Sequence, residues 1–162
     1  MLNYQEYTNL ENSLKDFLDT EINTDSVTDK DGTNVPVRIG RKESNDWTLP
    51  CISEYQESET SPKFEIGSTN TDDRFLIIIE IYATNDREQK DIARWLKETI
   101  KSGWRYYSYS YNVSNPESPT KVAGGWVGVD IVENTKVALG QNVDIWDAHR
   151  HRISINVWIG GS

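Results

Sequence analysis

The apolar positions of the chain change period several times, and each change marks an element. Over residues 4–18, Tyr7, Leu10, Leu14, Phe17 and Leu18 recur three and four apart, while Glu6, Glu11, Lys15 and Asp16 fall off that stripe. This spacing predicts an amphipathic helix. Residues 19–34 turn polar with neither period and predict a mobile loop ending in a turn at Asp31-Gly32. Val35, Val37 and Ile39 then alternate with Pro36 and Arg38, a short strand whose proline suits an edge or a strand start. Residues 48–56 predict a second strand, interrupted by Pro50. The polar stretch 57–71 predicts a mobile connection with a short strand at 63–66.

The strongest pattern lies at 74–102. Phe75, Ile77, Ile79 and Ile81 line one face of a strand, and Leu76 and Ile78 the other, as in a strand buried on both sides. Asn85 stands three residues before Glu88, a helix start in which each side chain can satisfy a free backbone donor. Ile92, Ala93, Trp95, Leu96, Thr99 and Ile100 form the helical stripe that follows, and Gly103 supplies the left-handed stop. Trp104, Tyr106, Tyr107, Tyr109 and Tyr111 make an aromatic strand, and residues 112–125 a long mobile loop. Three alternating stretches close the chain at 126–132, 136–139 and 149–159, with Glu133-Asn134 as a two-residue hairpin turn. Clustered rather than alternating strands predict one α+β domain over 1–162, a mostly antiparallel sheet packed against two helices.

Composition narrows this picture. With 162 residues, 17 basic and 26 acidic side chains, the chain carries a net charge of −9. Such a balance argues against a protein that grips phosphate backbones, which needs Lys and Arg to displace counterions. Apolar residues are only 36% of the chain, so six Trp and eight Tyr must supply much of the core. The single Cys51 excludes an internal disulfide framework and a four-cysteine zinc site. The longest apolar run, 75–79, is far short of a membrane span, and the N-terminus has no secretory signal pattern. The expectation is an acidic protein made and kept in a reducing cytosol.

Candidate chemistry is sparse. Asp147, His149 and His151 alternate, so on a strand they would share a side and could ligate iron or zinc. The same residues also read as the polar start of the 149–159 strand, with Asp144 and Asp147 neutralising Arg150 and Arg152. Asp72, Asp73 and Glu80 around a strand are reminiscent of metal-dependent nucleases, but Tyr82 stands where such a site needs lysine. The alternative for Glu80 is an ion pair with an arginine of a neighbouring element. There is no Gly-x-Ser-x-Gly elbow and no phosphate-cradling loop, since a strand rather than a helix follows Gly124-Gly125. The rings of Trp104, Tyr106, Tyr107, Tyr109, Tyr111, Trp126 and Trp158 remain. They fit a core with surface-reaching tips, a protein–protein interface, or a sugar-stacking platform of a carbohydrate-binding module.

The order of elements resembles the tail terminator (tail completion, neck) proteins of long-tailed bacteriophages. The resemblance rests on the helix at 4–18, on Val35-Pro-Val-Arg-Ile-Gly and on Leu49-Pro-Cys-Ile-Ser-Glu-Tyr. It continues through Phe75-Leu-Ile-Ile-Ile-Glu-Ile-Tyr-Ala-Thr-Asn-Asp-Arg-Glu, the helix to Ile100, Val127-Gly-Val-Asp-Ile and Arg150-His-Arg-Ile-Ser-Ile-Asn-Val-Trp-Ile. The polar stretches 57–71 and 112–125 depart from the family pattern. The resemblance implies a non-enzymatic virion protein without cofactors or metal, made in the host cytoplasm. It further implies a ring, typically a hexamer, that joins the tail tube protein to the head-connector and neck proteins. DNA would pass through the ring without being specifically bound, and an acidic lumen would repel it over a Debye length of about 8–10 Å. Trp104, Tyr106, Tyr107, Tyr109, Tyr111 and Trp126 are then the candidate surface for contacts between subunits or with the tube.

Overall fold

The structure, a computed structural model, describes residues 4–41, 47–60, 73–137 and 149–160. In chain order it contains α1 (Tyr4–Asp25), β1 (Val37–Ile39), β2 (Cys51–Thr60), β3 (Arg74–Ala83), α2 (Asp86–Ile100), β4 (Trp104–Asn112), β5 (Asn115–Lys136) and β6 (His149–Ile159). The strands form one sheet ordered β1-β2-β3-β6-β5-β4. β1 runs parallel to β2, and the remaining pairs are antiparallel.

The expected arrangement, an antiparallel sheet packed against two helices in the tail-terminator manner, is not what forms. The elements are α and β as expected, but the described residues are mostly sheet, 52% strand, and the sheet curls into a six-stranded half-barrel. Extra residues in one strand of a pair increase local twist, and the register shifts between Gln56 and Ser58, Arg105 and Tyr107, Ser110 and Asn112, and Ile131 and Glu133. The curl brings the two margins of the sheet round to one helix. α1 touches β1 and β2 on one side and β4 on the other.

α1 runs through residues 19–25, where the sequence pattern suggests a loop. Ile22 explains the difference, because it continues the Leu10, Leu14, Leu18 spacing and is as fully buried as they are. Burying four such side chains contributes roughly 6–12 kcal/mol before the cost of ordering the helix. They meet Ile77, Ile79 and Ile81 of β3, Ile153, Ile155 and Val157 of β6, and Ile92, Leu96 and Ile100 of α2 in one core. After the helix, the expected turn forms at Gly32 (φ 81°), where Asp29 Oδ1 accepts from the amides of Asp31 and Thr33.

Polar side chains of α1 also satisfy the backbone of both sheet margins. Ser13 Oγ accepts from Tyr107 N at 2.9 Å and donates to Tyr107 O at 3.2 Å, and Asn9 Oδ1 accepts from Tyr109 N at 3.0 Å. At the other margin, Glu11 Oε1 accepts from Gln56 N at 3.2 Å. An exposed strand edge invites pairing with other chains, and these bonds blunt it.

Residues 112–125, expected as a mobile loop, belong to the β4–β5 hairpin. Pro119 and Gly124, which signal a loop in the sequence, have positional reasons. Tyr107 and Tyr109 turn their amides toward α1, so their register partners Ala123 and Lys121 turn theirs to the opposite, outer edge. Pro119, two residues before Lys121, therefore falls at an outer position where no ladder hydrogen bond is lost. Gly124 lies under Tyr106, and a Cβ there would come within 2.8 Å of that ring. The expected turn at Glu133-Asn134 is likewise continuous strand with a bulge.

β3 and α2 match the sequence pattern closely. Asn85 caps α2, accepting from Glu88 N at 2.9 Å, while Glu88 Oε1 reaches back to the amide of Thr84 at 2.9 Å rather than to that of Asn85. β2 begins directly after Pro50 and extends to Thr60, so 57–60 is strand. The short strand expected at 63–66 lies outside the described residues. Among the described residues, no helix is long and apolar enough to cross a membrane.

Candidate functional site

The aromatic strand divides into inner and outer rings. Trp104 and Tyr106 are buried in the core, with the Trp104 ring stacked on Phe17 at 6.0 Å between centroids. Both were candidates for the docking surface and neither faces outward. Alternation puts them on the core face, and the bulge between Arg105 and Tyr107 resets the strand beyond them.

Tyr107 and Tyr109 lean over α1 and are half-buried. Lys121 Nζ lies 4.3 Å from the centre of the Tyr107 ring, and the hydroxyl of Tyr109 donates to Asp16 Oδ2 at 2.6 Å. Burial, reinforced by the Asp16 carboxylate, pushes the Tyr109 phenol up. Ser13, Asp16 and Phe17 of α1 and Arg105, Tyr107 and Lys121 of the hairpin enclose a cavity of about 170 Å³.

Tyr111 and Trp126 are the outward members, 56% and 47% exposed. The Tyr111 hydroxyl accepts from Asn12 Nδ2 at 3.2 Å. Trp126 Nε1 donates to Ser102 O at 3.1 Å, and the Arg105 guanidinium stands 5.7 Å from its ring centre. Sequence reasoning missed Val113 and Val122, which are 97% and 61% exposed on the same hairpin. Two apolar side chains within a polar, proline-containing stretch were the available signal. Among the described residues, no strand lies along the outer edge of β5 beyond its pairing with β6 at Val127.

The other candidates sit elsewhere. His149 and His151 occupy alternate positions at the start of β6, and Asp144 and Asp147 lie outside the described residues. His151 Nε2 is 2.5 Å from Asn134 Oδ1, and burial lowers the pKa of its ring. Among the described residues, no group of three or more His, Cys, Asp or Glu is arranged to hold a metal ion. Cys51 is fully buried. A cavity of about 670 Å³ lies between the start of α2 and the turn after α1, with Val27, Ile92 and Trp95 in its lining.

Glu80 takes the alternative suggested for it, an ion pair with arginines of a neighbouring strand. Its carboxylate, 2% exposed, accepts from Arg150 at 2.5 Å, Arg152 at 2.8 Å and the Tyr82 hydroxyl at 2.5 Å. Burial by itself would raise its pKa, but the hydrogen bonds from Arg150, Tyr82 and Arg152 outweigh it and hold the carboxyl below its usual value. A depressed carboxyl contributes stability above its unfolded pKa, near 4.5, and loses it as the pH falls through the folded value. Glu80→Gln will therefore cost roughly 1–3 kcal/mol at neutral pH. Thermal melts between pH 3 and 7 will show a smaller acid loss in the variant than in the parent.

No protein-family model matches the sequence, and no curated protein matches it.

Proposed function

We propose that the protein is a non-enzymatic structural component that docks to copies of itself and to neighbouring proteins through the β4–β5 hairpin. In this reading it serves in the neck of a long-tailed phage virion as a tail terminator or close relative. The observation that carries the docking surface is that the exposed apolar side chains Tyr111, Val113, Val122 and Trp126 all belong to the β4–β5 hairpin. Large outward apolar groups clustered on a polar chain mark interaction surfaces, and tyrosine and tryptophan dominate their binding energy. The assignment to a phage neck is supported by the sequence resemblance, and the net charge of −9 suits a conduit that must not hold DNA. A closed ring needs two different patches per subunit, and the hairpin is proposed as one of them.

The test is native mass of the purified protein, with electron micrographs of it mixed with tail tubes. The parent forms a ring alone or decorates tube ends. The double variant Tyr111→Ser, Val122→Asp keeps the parent's melting temperature within a few degrees and binds its partner at least roughly tenfold more weakly. A parent that stays monomeric and ignores tubes overturns the neck assignment. A double variant that assembles like the parent overturns the hairpin as the docking surface.

A further inference from the structure

α1 closes the half-barrel over a carboxyl that has no hydrogen-bond partner among the described residues. Glu54 of β2 is fully buried, and neither of its side-chain oxygens makes a hydrogen bond there. From α1, Glu11 and Lys15 act on it, and Lys15 Nζ is held 2.6 Å from Asp19 Oδ2. Its register partners are Ile39 of β1 and Ile79 of β3, which bring no charge. An ionised carboxylate in this place would be a buried and poorly compensated charge directly under the helix. Glu11 is also the residue that accepts from Gln56 N, so the helix meets the β2 margin through one carboxyl and covers another.

We propose that α1 is a pH-sensitive clasp: with Glu54 protonated the helix seals both sheet margins, and ionisation of Glu54 lifts its first half and unseals the amides of Gln56, Tyr107 and Tyr109. Burial pushes the Glu54 carboxyl well above its ordinary value, Glu11 raises it further, and Lys15 opposes them. Burial also raises Glu11, against the hydrogen bond from Gln56. The sign follows from linkage. A raised carboxyl gives its full stabilisation below the unfolded pKa, near 4.5, and loses it as pH rises through the folded value. The clasp is therefore tightest in mild acid and loosens toward alkaline pH, the reverse of the Glu80 cluster.

Amide hydrogen exchange from pH 5 to 8, corrected for intrinsic rates, tests it on the whole protein. Protection at Gln56, Tyr107 and Tyr109 falls about tenfold or more relative to Ile79 in the middle of β3, tenfold being the effect of one unit of pKa difference. In Glu54→Gln the relative protection stays flat. Glu54→Met, which leaves no polar atom to satisfy, gives the same flat profile should the buried amide impair folding. Parallel loss at Ile79 and the margins, no pH dependence in the parent, or a fall that persists in both variants overturns the clasp.

Discussion

Leu14→Ala will destabilise the protein by about 2–5 kcal/mol, the range for deleting a buried leucine side chain and leaving a cavity. In a chain of this size that lowers the melting temperature by roughly 5–15 °C. The upper half of the range is expected because Leu14 is fully buried, midway along the Leu10–Leu18 stripe, on the helix that both sheet margins rest against. The cavity cannot close by moving α1 toward one margin without parting it from the other. Denaturant unfolding will show a lower midpoint at an unchanged slope, the signature of lost stability without a change in exposed surface. Lys15→Ala, one position on and on the partly exposed face, should stay within about 0.5 kcal/mol, since its ion pair with Asp19 is partly solvated and within one helix turn.

The legible parts of this fold are those where a period and a boundary agree. β3 shows alternating apolar residues on both faces and ends at the Thr84–Glu88 cap, so its position and that of α2 follow from the sequence within a residue or two. α1 was legible only as far as the apolar residues were dense. Its last two turns hold a single core residue, Ile22, among polar neighbours, which is enough for a helix lying on a surface but too little to set a period. The β4–β5 hairpin failed for a different reason. Pro119 and Gly124 signal a break when read locally, and only the pairing shows that one points outward and the other makes room for Tyr106. The curl of the sheet was not legible either, because bulges depend on how two strands register against each other. Of the rings singled out from the sequence, alternation along β4 turns Trp104 and Tyr106 inward, while Tyr111 of β4 and Trp126 of β5 are exposed. Glu54 was invisible in advance, as one acidic residue on a strand interrupted by proline normally faces water.

Gly103→Ala is the second large effect, at about 2–5 kcal/mol. Gly103 ends α2 at φ 77°, where a residue with a Cβ is strained by about 1–2 kcal/mol. Space compounds the strain, because the added Cβ would lie 2.0 Å from Val127 O and 2.8 Å from Trp126 Nε1. The first of these is backbone in the β4–β5 ladder, so relief requires shifting the strand itself, a further roughly 1–3 kcal/mol. Gly32→Ala separates the two contributions. Its φ of 81° is equally left-handed, but nothing lies within 4 Å of the added atom, so it should cost only about 1–2 kcal/mol. Parallel thermal melts of the two variants give the comparison, and the indole of Trp126 reports by fluorescence whether its bond to Ser102 O survives.

β5 has a mechanical consequence. Its backbone is unbroken from Asn115 to Lys136, bound to β4 over its first half and to β6 over its second. The hairpin tip is thus no pendant loop but the end of a continuous strand whose other end is hydrogen-bonded along β6. A load applied near Val113 is carried along that strand to the Val127–Ile159 pairing, with no slack segment to absorb it.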